Sequence, residues 1–323
     1  MAKNKTLSIV LATYNGELYL REQLDSIYAQ TLQADEVLAV DDCSTDHTVD
    51  ILREYHQKKG LRYVVNEKNL RVNANFEKGI RLVKGDYISL CDQDDVWFAY
   101  KNETLYKKLY ELEQEEIEKG NIDNEGGCTT PIIVSSRNTF VDEHLKIHHH
   151  TELKKDTADF RDTIIHHLSQ GSSMMFNRAC LQYILPLPDY DSGICYDTHI
   201  GYIIAMVGRK YDLRQSLMYY RVHGNNVTAS LGNKGKSKSV ISRTRPTTVV
   251  ASHMIQSFLF AKSYIEDKVS TNRLHYVNRI IALSQPMNIF HRLYILAVTP
   301  NIPLRMKWYS LKASFLNFFF NMK

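Results

Sequence analysis

Four short apolar runs in the first hundred residues, LSIVLAT, EVLAVDD, RYVVNE and DYISLCD, alternate with stretches whose apolar residues recur at helical spacing. Leu18, Leu20, Leu24 and Ile27 mark one such stretch, Val49, Leu52 and Tyr55 the next, and Phe76, Ile80 and Val83 the third. Strands separated by helices are the pattern of a parallel sheet with crossover helices. Ser44 and Thr45 stand before the second helix and are expected to cap it, with Asp46 in its first turn, where the helix dipole favours negative charge. The polar residues fall unevenly: Asn15, Asp41, Asp42, Asp92, Asp94 and Asp95 collect where strands end. Open α/β sheets bind ligands at the carboxyl ends of their strands, so these residues mark one site.

Beyond residue 111 the chain turns acidic and then Gly/Asn-rich (EQEEIEKGNIDNEGG), which reads as a helix end and a solvated loop. IIVSS reads as a strand, residues 159–167 and 178–185 as helices, residues 197–207 as a buried helix and SLMYYRVH as a strand. The Gly/Ser/Lys/Arg-rich run GNKGKSKSVISRTRP predicts a mobile linker over 231–246, between a first domain, 1–230, and a helical region, 247–323. A net charge of +4 on 323 residues is too small for a typical nucleic-acid binder. The charge is concentrated, however. After Asp267 there is no acidic residue, while Lys268, Arg273, Arg279, Arg292, Arg305, Lys307, Lys312 and Lys323 lie among Trp308, Phe315, Phe318, Phe319 and Phe320. A basic amphipathic helix of this kind reads as binding an anionic membrane surface; the competing reading is packing against the first domain or a homodimer through these helices. Five cysteines without a CxxC pair argue against a disulfide framework or structural zinc and fit a reducing compartment. The N-terminal apolar stretch is too short for a signal-peptide core, and no run reaches the roughly 18–20 apolar residues of a spanning helix. A cytoplasmic protein, peripheral on the inner face of the plasma membrane, is the expectation.

The sharpest chemical feature is CDQDDVW, directly after the strand DYISL. Asp92, Asp94 and Asp95 at a strand exit can hold Mg2+ or Mn2+, hard cations that also bind substrate phosphates. That is half of a nucleotide-diphosphate site; a calcium-binding or solvated acidic turn is the alternative. Asp41 and Asp42 can accept hydrogen bonds from a base or ribose, although capping and turn formation explain Ser44 and Asp46 without a ligand. The run His148–His150 tempts a zinc reading, but consecutive side chains diverge, so a surface loop is expected. His166 and His167 read as helix-face residues. A dinucleotide oxidoreductase is disfavoured because the first strand leads into TYNGE and not GxGxxG.

ATYNGE at 12–17, VDDCSTDHT at 40–48 and CDQDDVW, in this order and spacing, resemble family 2 glycosyltransferases of the GT-A fold. VDEHL, QGSSMMFNR, YDTHIGYIIAMVG and YRVHGNNV are similar to the bacterial rhamnosyltransferase branch, and the likeness extends over about 230 residues. It implies an α/β fold with a mostly parallel twisted sheet flanked by helices and a helical C-terminal extension. It also implies that Thr13, Tyr14, Asn15, Glu17, Asp41, Asp42, Arg71 and Asp92 bind the nucleotide, with Asp41 on the base. Asp92 and Asp94 become the DxD pair for Mn2+ or Mg2+, with Asp94 the stronger ligand and His223 joining it. Asp197 becomes the catalytic base, and Asp95, Trp97, Gly171, Ser172, Arg221 and Asn226 line the sugar or acceptor pocket. From spacing alone Asp197 reads equally as a helix N-cap, and Arg71 equally as a solvated turn residue. Two departures stand out: Tyr196 and Thr198 flank the base where the branch often has His and an aromatic, and Asn69, Leu70 and Arg71 replace an Asn-Phe-Gly element.

The chemistry agrees with the likeness, because sugar transfer from a nucleoside diphosphate needs the leaving diphosphate neutralised and the attacking hydroxyl deprotonated. A single base opposite the leaving group gives inversion. The expected activity is transfer of a sugar, with dTDP-rhamnose an expected donor, to a polysaccharide or lipid-linked oligosaccharide in bacterial surface-polysaccharide synthesis. Transfer of another hexose, or a non-catalytic nucleotide-sugar-binding role in an assembly complex, are the alternatives. A glycoside hydrolase would also use two carboxylates but would have no need of acids at strand ends around a nucleotide.

Overall fold

The computed structural model describes residues 5–150, 156–158, 160, 170–224, 247–284 and 294–296. Strands β1 (Leu7–Thr13), β2 (Glu36–Asp41), β3 (Arg62–Val65) and β4 (Tyr87–Cys91) pair in parallel in the order β3-β2-β1-β4. Helices α1 (Leu20–Tyr28), α2 (Thr48–Lys59) and α3 (Arg71–Leu82) make the crossovers. The apolar periodicity decides their faces: Phe76 and Ile80 of α3 enter one core with Val10, Val40 and Leu90, while Leu20, Leu24 and Ile27 of α1 meet Ile9, Leu11 and Leu52 on the other side. Helix α3 lies so close to the sheet that a Cβ at Gly79 would sit 2.4 Å from Val10 Cγ1.

The second half adds β5 (Val96–Trp97), α4 (Lys101–Glu118), β6 (Ile132–Val141), β7 (Ile147–His150), β8 (Met174–Asn177), α5 (Tyr196–Val207) and β9 (Arg209–Arg221). The sheet continues β4-β8-β6-β9-β5, with β8 antiparallel to both neighbours, β6 parallel to β9, and β7 hairpinned onto β6. This is the expected α/β architecture: a parallel quartet extended by a mixed half. Helices α6 (Thr247–Ile265) and α7 (Thr271–Ser284) follow, and Phe258, Ala261, Ile265, Val277 and Ile280 share a core with Ile200 and Ile203 of α5. Among the described residues, Arg273 donates to the carbonyls of Met206 and Gly208, and Lys268 pairs with Asp267.

Several expectations change in detail. Helix α2 begins at Thr48, not after Thr45, and Asp46 precedes it, accepting the Thr48 N–H at 3.0 Å; Ser44 is occupied by Asp41 instead of capping. His148–His150 belong to the short exposed strand β7, not a loop, with His149 stacked on Phe140. Residues 178–185 form only a 3-10 turn and a single helical turn, Leu181–Ile184. Apart from residue 160, the helix expected over 159–167, His166 and His167 with it, the linker 231–246 and the aromatic tail beyond 296 lie outside the described residues. No disulfide joins any of the five cysteines, all of which are described. Among the described residues no helix is long and apolar enough to cross a membrane.

Candidate active site

The carboxyl ends of β1, β2 and β4 form one rim, and its loops are bound to each other by side chains. After β1 the chain turns through Asn15, which adopts a left-handed φ of 48°. The Asn15 N–H donates to Ser44 Oγ, and its Oδ1 accepts the Thr45 N–H. Gly16 N donates to Thr48 Oγ1, and Glu17 accepts the His47 N–H at 3.0 Å. Tyr14 and Gln93 exchange two bonds, Tyr14 N to Gln93 Oε1 and Gln93 Nε2 to Tyr14 O, which fix the β1 exit to the β4 exit. Asp41 is fully buried and accepts from Thr13 Oγ1, Ser44 Oγ and Ser44 N. Asp42 accepts from Asn66 Nδ2 and from the N–H groups of Leu70 and Arg71, which shapes the turn where Arg71 takes a φ of 70°. The exposed Arg71 guanidinium stands 5.6 Å over the Tyr190 ring.

At the β4 exit the carboxylates crowd one another. Asp92 has its pKa pushed up to about 7, first by burial and then by the charges of Asp94 and Asp197, against a partial offset from the Tyr196 hydroxyl, 3.4 Å from its Oδ1. Asp95 is fully buried and held well above the usual carboxylate range, by burial and then by Asp94 and Asp92. Its Oδ1 accepts the Arg221 N–H, while Oδ2 has no partner. The buried Ser172 hydroxyl stands beside both Asp92 and Asp95 but makes no directed bond to either. Gly171 lets this segment pass: a Cβ there would lie 1.9 Å from the Tyr196 hydroxyl. Asp197 sits in the first turn of α5, two residues past the true N-cap, Cys195, and accepts the Thr198 N–H at 2.6 Å. Its charge therefore lies near the positive pole of the helix and also near Asp92.

His223 Nε2 lies 2.9 Å from Asp94 Oδ2, so the two residues expected to share a metal do meet. Among the described residues no three His, Cys, Asp or Glu side chains form a ready-made cage. Mg2+ in a nucleotide site takes one or two carboxylates and completes its shell with phosphate oxygens and water, so an Asp94–His223 pair fits a divalent cation carried with a diphosphate. Trp97 is buried, with Lys101 Nζ 3.1 Å from its ring centroid. Burial draws the Lys101 pKa down to about 7, opposed by Cys91 and Asp95. Arg221, expected at the sugar or acceptor pocket, is buried and donates to protein groups on three other segments. Asn226 lies outside the described residues. Lys101 and Glu22 were missed by sequence reasoning, because a cation at a helix start and an acid on an amphipathic helix read as solvated.

Residues 8–184 match the family model of glycosyl transferase family 2, and the chain belongs to that family. An uncharacterized glycosyltransferase of Nostoc sp. is 24% identical over 249 residues, spanning 74% of this chain and 73% of that protein. The glycosyltransferase GlyA of Streptococcus pneumoniae is 34% identical over 122 residues, 38% of this chain and 17% of its own. Among solved structures, S. aureus TarS 1–349 in complex with UDP superposes with a TM-score of 0.55 at 15% identity, covering 96% of this chain and 90% of that one. The TarS 1–349 complex with UDP-GlcNAc gives 0.53 at 17% identity, covering 95% and 79%. The TarS likeness establishes the fold, GT-A.

Proposed function

We propose that the protein transfers a sugar from a nucleoside-diphosphate donor to a hydroxyl of a polysaccharide or lipid-linked acceptor, with inversion at the anomeric carbon. The observation that carries this reading is the convergence of Asp92, Asp94 and Asp197, from β4 and from the start of α5, on one charge-crowded spot at the sheet's carboxyl rim. Asp94 and His223 would hold Mn2+ or Mg2+, which when bound neutralises the leaving diphosphate. Asp197 accepts the acceptor proton as the acceptor oxygen bonds to the anomeric carbon; the bond from that carbon to the phosphate oxygen breaks, and the diphosphate leaves with the electron pair. The rim loops of Thr13, Tyr14, Asn15, Glu17, Asp41, Asp42 and Arg71 surround the nucleotide. TarS binding UDP and UDP-GlcNAc supports a pyrimidine nucleotide in this position, and the motif likeness keeps dTDP-rhamnose among the donors. A resting place on the anionic inner face of the plasma membrane is supported by the acid-free stretch after Asp267 and by the exposed Leu259, Phe260 and Tyr294.

The full chain incubated with a panel of uridine and thymidine diphosphosugars, with and without Mn2+, is expected to release nucleoside diphosphate only with metal and faster with a saccharide acceptor. Donor binding without release, under every condition, would leave a binding protein instead of an enzyme. Release with full rate in chelator would remove the metal.

A further inference from the structure

Arg221 closes β9 and reaches three other parts of the chain. Its backbone N–H donates to Asp95 Oδ1 at 3.1 Å and its Nε to the Asp94 carbonyl at 2.9 Å. One terminal nitrogen donates to the Glu143 carbonyl at 2.6 Å in the turn between β6 and β7, and the other to Glu22 Oε2 on α1 at 2.5 Å. The guanidinium also lies 4.5 Å over the Tyr19 ring, just before α1. Two residues further on, His223 packs on that same ring at 4.8 Å and meets the Asp94 carboxylate. Between them Val222 N–H is pinned to the Val141 carbonyl at 2.8 Å, so the backbone carrying His223 has little freedom.

The residue type matters. Glu22 is half-exposed, and an ion pair to such a group contributes little by itself. The two carbonyl bonds come from a buried side chain whose donors diverge in a fixed plane, which an ammonium cannot reproduce. Arg221 thus holds the backbone of Asp94 on one side and the chain leading to His223 on the other. We propose that Arg221 is a positioning residue that sets the Asp94–His223 pair by tying the β4–β5 turn, the β6–β7 turn and the start of α1 to the end of β9. Its consequence for metal and diphosphate rests on the transferase reading; the positioning itself does not.

The test uses the full chain with Arg221→Gln, Arg221→Lys, His223→Ala and the double variant Arg221→Gln/His223→Ala. The first readout needs no ligand: the imidazole 15N resonances of His223, identified by their loss in His223→Ala, followed at one pH beside the thermal midpoint. Both Arg221 variants are expected to move those resonances while the midpoint changes by a few degrees at most. The second is calorimetric binding of UDP and of dTDP with and without Mn2+. Arg221→Gln should weaken the Mn2+-dependent binding about tenfold, leave the metal-free binding unchanged, and add nothing on the His223→Ala background, the non-additivity of two residues acting as one unit. Unmoved His223 resonances, or additive losses in the cycle, overturn the proposal. If Arg221→Gln does not fold, Arg221→Lys decides by the same readouts. If the wild type binds neither nucleotide, the pyrimidine-nucleotide reading falls, while the His223 resonances still decide the positioning.

Discussion

The rim of this sheet carries two groups of carboxylates that solve the problem of buried charge in opposite ways. At the end of β2, Asp41 and Asp42 receive hydrogen bonds from hydroxyl, amide and backbone donors of the protein itself, six in all. At the end of β4, Asp92, Asp94 and Asp95 face one another and Asp197, and two of them are pushed towards the protonated form. A carboxylate given donors stabilises the fold that supplies them, whereas carboxylates left to repel one another keep a cost that only an outside cation or proton relieves. The first group builds the loops, and the second, in the function proposed above, is arranged for a ligand. Left-handed Asn15 and Cys43 sit in the loops of the first group, where the network of bonds holds backbone that non-glycine residues seldom adopt.

The largest expected effect tests whether the second group does chemistry. Asp197→Asn keeps the shape and loses the proton acceptor, so the rate of sugar transfer should fall by about two to four orders of magnitude while donor affinity stays within about threefold. Single-turnover transfer measured beside donor binding checks this. A collapse of donor affinity with normal turnover of whatever binds would make Asp197 a first-turn structural carboxylate and erase the contrast.

Next comes the first group. Asp42→Ala leaves three donors, Asn66 Nδ2 and the N–H groups of Leu70 and Arg71, without their acceptor, and should cost about 2–4 kcal/mol in urea unfolding. An unchanged unfolding midpoint would show that water replaces the carboxylate and that the turn does not depend on it.

What the sequence made legible follows from range. The four strands of the parallel quartet, the acids at their ends and the meeting of Asp94 with His223 rest on runs that can be read one at a time, and on the family likeness. The inward turn of Arg221 rests on contacts far apart in sequence: Arg221 reaches Asp95 across 126 residues and Glu22 across 199. No local pattern distinguishes a buried arginine with three distant acceptors from one in solvent. The misread start of α2 has a shorter-range cause. Ser44 has the chemistry of a cap, but Asp41 and Asn15 claim it first.

The last effect is the one whose sign separates the two groups. Asp92 carries a folded-state pKa of about 7 against an ordinary value near 4 in the unfolded chain, so the fold favours its protonated form. The stability this contributes is present below about pH 4 and is lost as the pH rises through 7. Asparagine mimics the protonated carboxyl at every pH. Asp92→Asn should therefore match the wild type in thermal midpoint at about pH 4 and exceed it by a few degrees at about pH 8, a gain where Asp42→Ala gives a loss. Mn2+ with UDP should narrow that gap, because the cation answers the charges that crowd Asp92. Midpoints of both proteins at a series of pH values decide it: a difference that stays flat with pH would mean that neither burial nor the charges of Asp94 and Asp197 raise Asp92, and the second group would then differ from the first in its sequence and not in its physics.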